Sequence, residues 1–248
     1  MKALVINASP NMEKGNTAVI LGPFIEGMEE AGAEIELFYT KKLRIQPCQG
    51  EMNCMLKTPG VCFQHDDMDW MRPKWKEADL IVVATPLFVD GMPGPLKNFF
   101  DRLFPIVTLM LEVRDGHTRH LVREGVKPGP VVLVSSCGAW ETDVFDPLLA
   151  HMKALSTNSN RSFIGAVLRP HAVAFRRMFE SGTPVKDILE AAMEAGRQLV
   201  TTGEMSGETL ATVSRPLLPR DTFVQMMNQY FGQVLKELAT NQDSSITD

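Results

Sequence analysis

No Gly-x-Gly-x-x-Gly triplet occurs anywhere in the chain, which removes the usual fingerprint for a dinucleotide held at the first strand-to-helix turn. A Walker loop is missing too. Where it would need two glycines and then Lys-Ser or Lys-Thr, a single Gly15 is followed by Asn16, so a kinase or ATPase reading is weak. No apolar stretch approaches the roughly 20 residues that span a bilayer. No basic n-region precedes the first strand, which starts at residue 2, and the expectation is a cytoplasmic protein without a membrane partner. Basic runs are absent as well: Lys41, Lys42 and Arg44 are too few for a footprint, and the formal net charge is −5, which argues against nucleic acid as the main partner. With only four cysteines, thiol, metal or redox chemistry is expected before structural disulfides. What remains is 248 residues, 44% of them hydrophobic, enough to bury a large core in one decorated domain.

The most informative stretch is Lys2 to Thr17. The apolar run Ala3 to Ile6 suits a parallel strand covered on both faces, and the amphipathic pattern from Thr17 to Ala31 suits the helix after it. Between them stand Ser9, Asn11, Asn16 and Thr17, short side chains with hydroxyl or amide groups. With the first backbone N–H groups of the helix they can surround a phosphate monoester at the positive end of the helix dipole. Gly15 lets the backbone come close. The same residue types also suit an ordinary capped turn. A phosphate bound here is held mainly by neutral donors.

Strands are predicted at Glu34 to Tyr39, Leu80 to Thr85, Val131 to Ser135 and Phe163 to Leu168. Helices fit at Asp67 to Glu77, Pro95 to Phe104, Asp143 to Leu155 and Pro184 to Thr202, leaving room for crossover connections. The pattern is βαβ throughout, which implies a doubly wound, five-stranded parallel sheet. Such sheets bind ligands beyond the carboxyl ends of their strands where the order reverses. In the order 2-1-3-4-5 the loops after Asn7 and Thr85 face each other.

The combination of Ser9-Pro10 with Gly15-Asn16-Thr17, then Thr85-Pro86-Leu87-Phe88, then Leu96-Lys97-Asn98-Phe99-Phe100-Asp101-Arg102 resembles the NAD(P)H-dependent FMN reductases and their relatives, the iron–sulfur flavoproteins. The resemblance covers about residues 1 to 170 and implies a flavodoxin-like fold. It implies Ser9, Asn11, Gly15, Asn16 and Thr17 for the FMN phosphate, and Pro86, Leu87, Phe88, Asp90 and Gly91 for the ribityl chain and ring. A loop after strand 4 carries Ser136, Cys137 and Gly138 as further flavin contacts, with Trp140 as a lid or an interface residue. Core packing alone would also explain Leu87, Phe88 and Cys137. Lys97 and Arg102 read as helix-surface or salt-bridging residues, and no side chain is assigned as catalytic because the flavin carries the chemistry.

Relatives with a cluster show a compact four-cysteine run, and here Glu51 stands where the second cysteine would be. Cys48, Cys54 and Cys62 remain as three doubtful ligands, so an iron–sulfur cluster is not expected. The His-x-x-His pair at His117 and His120 follows an Asp-Gly turn inside a segment, Pro105 to Pro130, that reads as an inserted flap with solvent-facing histidines. The stripe Phe223, Met226, Met227, Tyr230, Phe231 and Leu235 has helical spacing and suits packing on the core or a subunit partner. Residues 1–204 are thus expected to form the FMN-binding domain, with a cysteine-containing loop at 41–66 and a flap at 105–130. Residues 205–248 form an extension with one helix and, from Asn241 to Asp248, a disordered tail. The expected activity is transfer of reducing equivalents from NAD(P)H through FMN to a small acceptor such as a quinone, a flavin or an iron complex. The alternative is an electron carrier that exchanges electrons with a ferredoxin. The expected assembly is a homodimer or homotetramer.

Overall fold

The computed structural model describes residues 1–244. In chain order the strands are β1 (Lys2–Asn7), β2 (Glu34–Tyr39), β3 (Leu80–Pro86), β4 (Val107–Arg114), β5 (His117–Val122), β6 (Pro130–Ser136) and β7 (Ser162–Arg169). The helices are α1 (Asn16–Glu30), α2 (Asn53–Leu56), α3 (Met68–Glu77), α4 (Gly94–Asp101), α5 (Asp146–Asn158), α6 (Ala172–Glu180), α7 (Lys186–Thr202), α8 (Gly207–Ser214) and α9 (Arg220–Ser244).

Five strands form one parallel sheet in the order β2-β1-β3-β6-β7, which is 2-1-3-4-5 once the flap strands are set aside. Every residue from Ala3 to Asn7 and from Leu80 to Thr85 is buried, because helices cover both faces and only continuous apolar runs are stable there. The edge strand β2 alternates instead, with Glu34 and Glu36 exposed. Leu4, Ile6, Ile81, Val83 and Leu133 point to one layer with α3, α4 and α5. Ala3, Val5, Val82 and Val132 point to the other, with α1 and α7. Those last two helices touch backbone to backbone: a Cβ on Gly27 would lie 1.8 Å from Met193 O, and one on Gly196 would lie 2.0 Å from Phe24 O. Only glycine permits that crossing distance.

Several expectations need correction. The flap is an antiparallel hairpin of β4 and β5, and its turn is the Asp115-Gly116 pair, both at positive φ (53° and 75°), as a two-residue hairpin requires. His117 is exposed, but His120 is half-buried with its ring 6.2 Å from that of Phe104, so the pair does not face solvent together. The extension holds two helices, α8 and α9, rather than one. The second of these reaches Ser244, through part of the segment assigned to the tail; residues 245–248 lie outside the described residues. Of the two alternatives for Arg102 the structure takes the salt bridge: it is 1% exposed and pairs with Asp66 at 2.6 Å. Sequence periodicity also passed over α2 and α6.

Candidate functional site

The carboxyl ends of β1, β3 and β6 bring three loops together. After β1 the chain turns sharply, with Ser9 N donating to Asn7 Oδ1 at 2.8 Å and Met12 N to Ser9 O at 3.0 Å. Met12 has φ 49°, a conformation that only the turn's hydrogen bonds hold in place. A Cβ on Gly15 would sit 2.2 Å from Ser9 Oγ, so any larger residue would push that hydroxyl out of its present position. Helix α1 then begins with no side chain capping it, which leaves its first N–H groups to be satisfied from outside the helix. Thr17 is 1% exposed, and its Oγ1 meets Ser136 Oγ at 2.8 Å. The third loop then holds the second: Leu87 N donates to Ser136 O at 2.9 Å, and Ser135 Oγ donates to Thr85 O at 2.8 Å. Ser136 is therefore the point where the three loops join.

The predicted residues do not all converge. Ser9, Gly15, Thr17, Leu87 and Ser136 do, and Asn16 stands half-buried between them at the helix start. Asn11 is exposed on the outer side of the turn, as is Asp90 on the second loop. There Phe88 and Gly91 exchange backbone hydrogen bonds of 2.9 and 3.0 Å, closing a two-residue turn at Val89 and Asp90, with φ 46° and 60°. A β-branched residue in that conformation is strained. Phe88 is 46% exposed and Val89 fully so, which presents an apolar ridge beside half-buried Pro86 and Leu87.

In the third loop Cys137 is buried, and burial pushes its thiol up to about 11; at neutral pH it is a neutral thiol. Gly138 is exposed. Trp140 is half-buried: its Nε1 donates to Leu218 O at 3.0 Å, and its ring stacks on His171, 5.7 Å away at 22°. On its other side His171 meets Phe223 at 4.9 Å. Burial pushes the His171 imidazole below its ordinary value, so it serves as a neutral stacking element.

Two residues escaped the sequence reading. Asn7 is 1% exposed, with Oδ1 used by Ser9 and Nδ2 buried without a partner, an amide left available at the heart of the turn. Its place directly after an apolar strand and before Ser9 was the available signal. Arg169 is fully buried at the end of β7. It donates to Pro170 O at 2.6 Å, Val213 O at 2.5 Å and Arg215 O at 2.8 Å, and nothing in its local sequence marks it.

The cysteine segment is fastened by Arg102, whose guanidinium forks onto Asp66 at 2.6 and 3.1 Å and also donates to Gln46 O and Gln64 O. Burial raises the Asp66 carboxyl, but the hydrogen bonds from Arg102, Gln46 N and Met68 N outweigh it and hold the group below the usual carboxylate range. Cys48 is exposed, whereas Cys54 and Cys62 are buried. Cys54 is pushed up by burial and then by the charges of Cys62, Glu51 and Cys48. Glu51 Oε1 accepts from Asn53 N at 3.2 Å, so it shapes the start of α2. Among the described residues no group of three or more His, Cys, Asp or Glu is arranged to hold a metal ion. Lys97 pairs with Asp101 at 2.6 Å, as a helix-surface residue.

Comparison with known proteins bears on this site. The NADPH-dependent FMN reductase family matches residues 1–160. An iron–sulfur flavoprotein of Archaeoglobus fulgidus is 38% identical over 102 residues, which are 41% of this chain and 48% of that protein. Another from Methanosarcina thermophila is 32% identical over 102 residues, 41% of this chain and 52% of its own. The chain thus spans about half the length of the curated relatives it matches. Among solved structures, an NAD(P)H:quinone oxidoreductase from Methanothermobacter marburgensis aligns with a TM-score of 0.57 at 20% identity, covering 80% of this chain and 96% of its own. That likeness shows the flavodoxin-like fold. No described helix is long and apolar enough to cross a membrane.

Proposed function

The chain belongs to the NADPH-dependent FMN reductase family, and from that premise we propose that it binds FMN non-covalently and passes reducing equivalents from NAD(P)H to a small acceptor such as a quinone, a free flavin or an iron complex. When bound, FMN would supply the redox chemistry, taking a hydride and giving up electrons. The protein's own residues bind and orient. Ser9, Asn16 and Thr17, with the uncapped N–H groups of α1 and the close approach at Gly15, would receive the phosphate, and Asn11, exposed on the turn, is left out of that cradle. Pro86, Leu87 and Phe88 would cover a flat apolar ring and exclude water from it, and the Asp90 backbone N–H would meet the ring's polar edge, the Gly91 N–H being held by Phe88 O at 3.0 Å. Ser136, Cys137 and Gly138 would complete the wall. Because its thiol is neutral, Cys137 would add no negative charge beside a reduced ring.

The observation that carries this reading is the meeting of Thr17 Oγ1 and Ser136 Oγ at 2.8 Å, directly at the start of a helix that no side chain caps. Two hydroxyls and free N–H groups in one buried place suit an anion. Each donor lost to a phosphate costs about 1.5–3 kcal/mol. Asn16→Ala with Thr17→Ala is therefore expected to weaken FMN binding, followed by quenching of flavin fluorescence, by well over tenfold. Unchanged affinity would remove the phosphate assignment.

A second reading, single-electron exchange with a protein such as a ferredoxin, is favoured by the iron–sulfur flavoprotein names of the matched relatives. The engagement of Glu51 with Asn53 N weighs against the cluster that reading needs. The visible spectrum of protein purified without oxygen, taken before and after NADPH, separates the two: flavin alone that bleaches supports the reductase, and stoichiometric iron supports the carrier.

A further inference from the structure

Between the flap and the body of the molecule lies a cavity of about 670 Å³, well within the range of small-molecule sites. None of the residues assigned above to phosphate or ring lines it. Its walls are apolar, among them Trp75 of α3, Phe104, and Met152 and Leu155 of α5, and its flap side carries Arg119 and His120 of β5. Three of these lining residues hold buried nitrogens without a hydrogen-bond partner: Trp75 Nε1, Arg119 Nε and His120 Nδ1. Trp75 is 2% exposed, so no solvent reaches its N–H. An indole N–H and a guanidinium N–H can only donate, and a buried donor left unpaired is unfavourable.

The charges are equally one-sided. Arg119 Nη1 donates to Asn158 Oδ1 at 2.6 Å, a neutral acceptor, and its cross-strand neighbour Glu112 is ion-paired with Arg114 at 2.9 Å instead. Asp101 also lines the cavity but is already paired with Lys97 at 2.6 Å. Ser156 Oγ donates to Met152 O at 2.8 Å within its own helix. The cavity thus offers apolar walls and the positive charge of Arg119, and its one lining carboxylate is already paired. We propose that it is a second ligand site, separate from the flavin loops, for an apolar monocarboxylate whose acyl or aryl body fills the space against Trp75, Phe104 and Leu155 and whose carboxylate meets Arg119 and His120. A cationic ligand would find no unpaired carboxylate there, since Asp101 is held by Lys97.

Isothermal titration calorimetry on the flavin-loaded protein, with decanoate below its micellar range and decanol as the uncharged counterpart, tests the assignment. One decanoate per chain is expected. Arg119→Gln should weaken decanoate at least tenfold while moving decanol less than twofold, because only the carboxylate uses the guanidinium. Leu155→Trp should abolish both by filling the space. Should that variant fail to fold, Ser159→Trp at the half-buried rim serves the same purpose. Absence of binding heat, as would follow if a second copy of the chain closes the cavity, overturns the proposal. So does decanoate binding that Arg119→Gln leaves unchanged.

Discussion

At the scale of single residues, the pair Arg102–Asp66 matters most for stability, since both side chains are nearly inaccessible (1% and 7% exposed). An isolated buried guanidinium would be costly, and the fork onto Asp66 with two further carbonyls compensates it. Asp66→Asn keeps the shape but removes the charge, so a loss of about 3–5 kcal/mol is expected. The pH dependence has a definite sign. Asp66 has a folded-state pKa below the ordinary carboxylate value, so its stabilisation is fully present above the unfolded value of about 3.9 and is lost as pH falls through the folded one. Urea unfolding should then show a wide gap between wild type and Asp66→Asn at pH 7 that narrows below about pH 4. A gap independent of pH would mean that the pair is not held by charge.

Among the elements, the extension is tied to the sheet by Arg169. Its three carbonyl partners include Val213 O at the end of α8 and Arg215 O just beyond, while its guanidinium lies 5.4 Å from the Phe175 ring centre. Burial lowers its pKa to about 10, so it stays charged at neutral pH. Replacing it by Met strands buried carbonyls, a loss of about 2–4 kcal/mol. Hydrogen exchange should report this locally: amides of α8 and Arg215 to Leu218 exchange faster while β1 and β3 keep their protection. Uniform loss of protection would instead make Arg169 part of the global core.

The same element shows why some of the molecule was legible in its letters and some was not. Strands such as β2 (Glu34–Tyr39) and the buried β3 announce themselves through alternation or continuous apolar runs, because burial on one or two faces leaves a direct compositional trace. The turn after β1 was legible through residue types concentrated between such a strand and an amphipathic helix. Arg169, His171 and Asn7 were not, since their meaning comes from partners far away in sequence: Arg169 waits for Val213, and His171 for Trp140 and Phe223. The second loop's turn was hidden for another reason. Val89 at φ 46° carries a residue that disfavours its own conformation, so propensity points away from the geometry. The cavity beneath the flap leaves no local trace at all, because its walls come from six separate parts of the chain.

For the whole molecule the unresolved balance is apolar surface. On the flap Met110, Leu111 and Val113 are 69%, 60% and 78% exposed, and on α9 Phe231 and Leu235 are 49% and 67% exposed. Where such residues gather into a patch they mark contact sites in soluble proteins. Parts of α9 already pack inward, with Phe223 on His171 and Tyr230 beneath Arg177, 3.7 Å from its ring centre, which leaves the remaining stripe aimed outward. A two-fold dimer is the commonest closed arrangement, and a dimer of dimers follows from a second such patch. Light scattering at micromolar concentration should therefore give a mass of two or four chains. Leu111→Glu with Phe231→Glu should reduce it to one, because a charge buried in an apolar contact is strongly unfavourable. A strict monomer in the unmodified protein would contradict this reading. If the double variant is monomeric and still oxidises NADPH at the original rate, each chain builds its flavin site alone. If turnover falls with assembly, a neighbouring subunit shields the exposed ridge at Phe88 and Val89 from water, which a single chain leaves open.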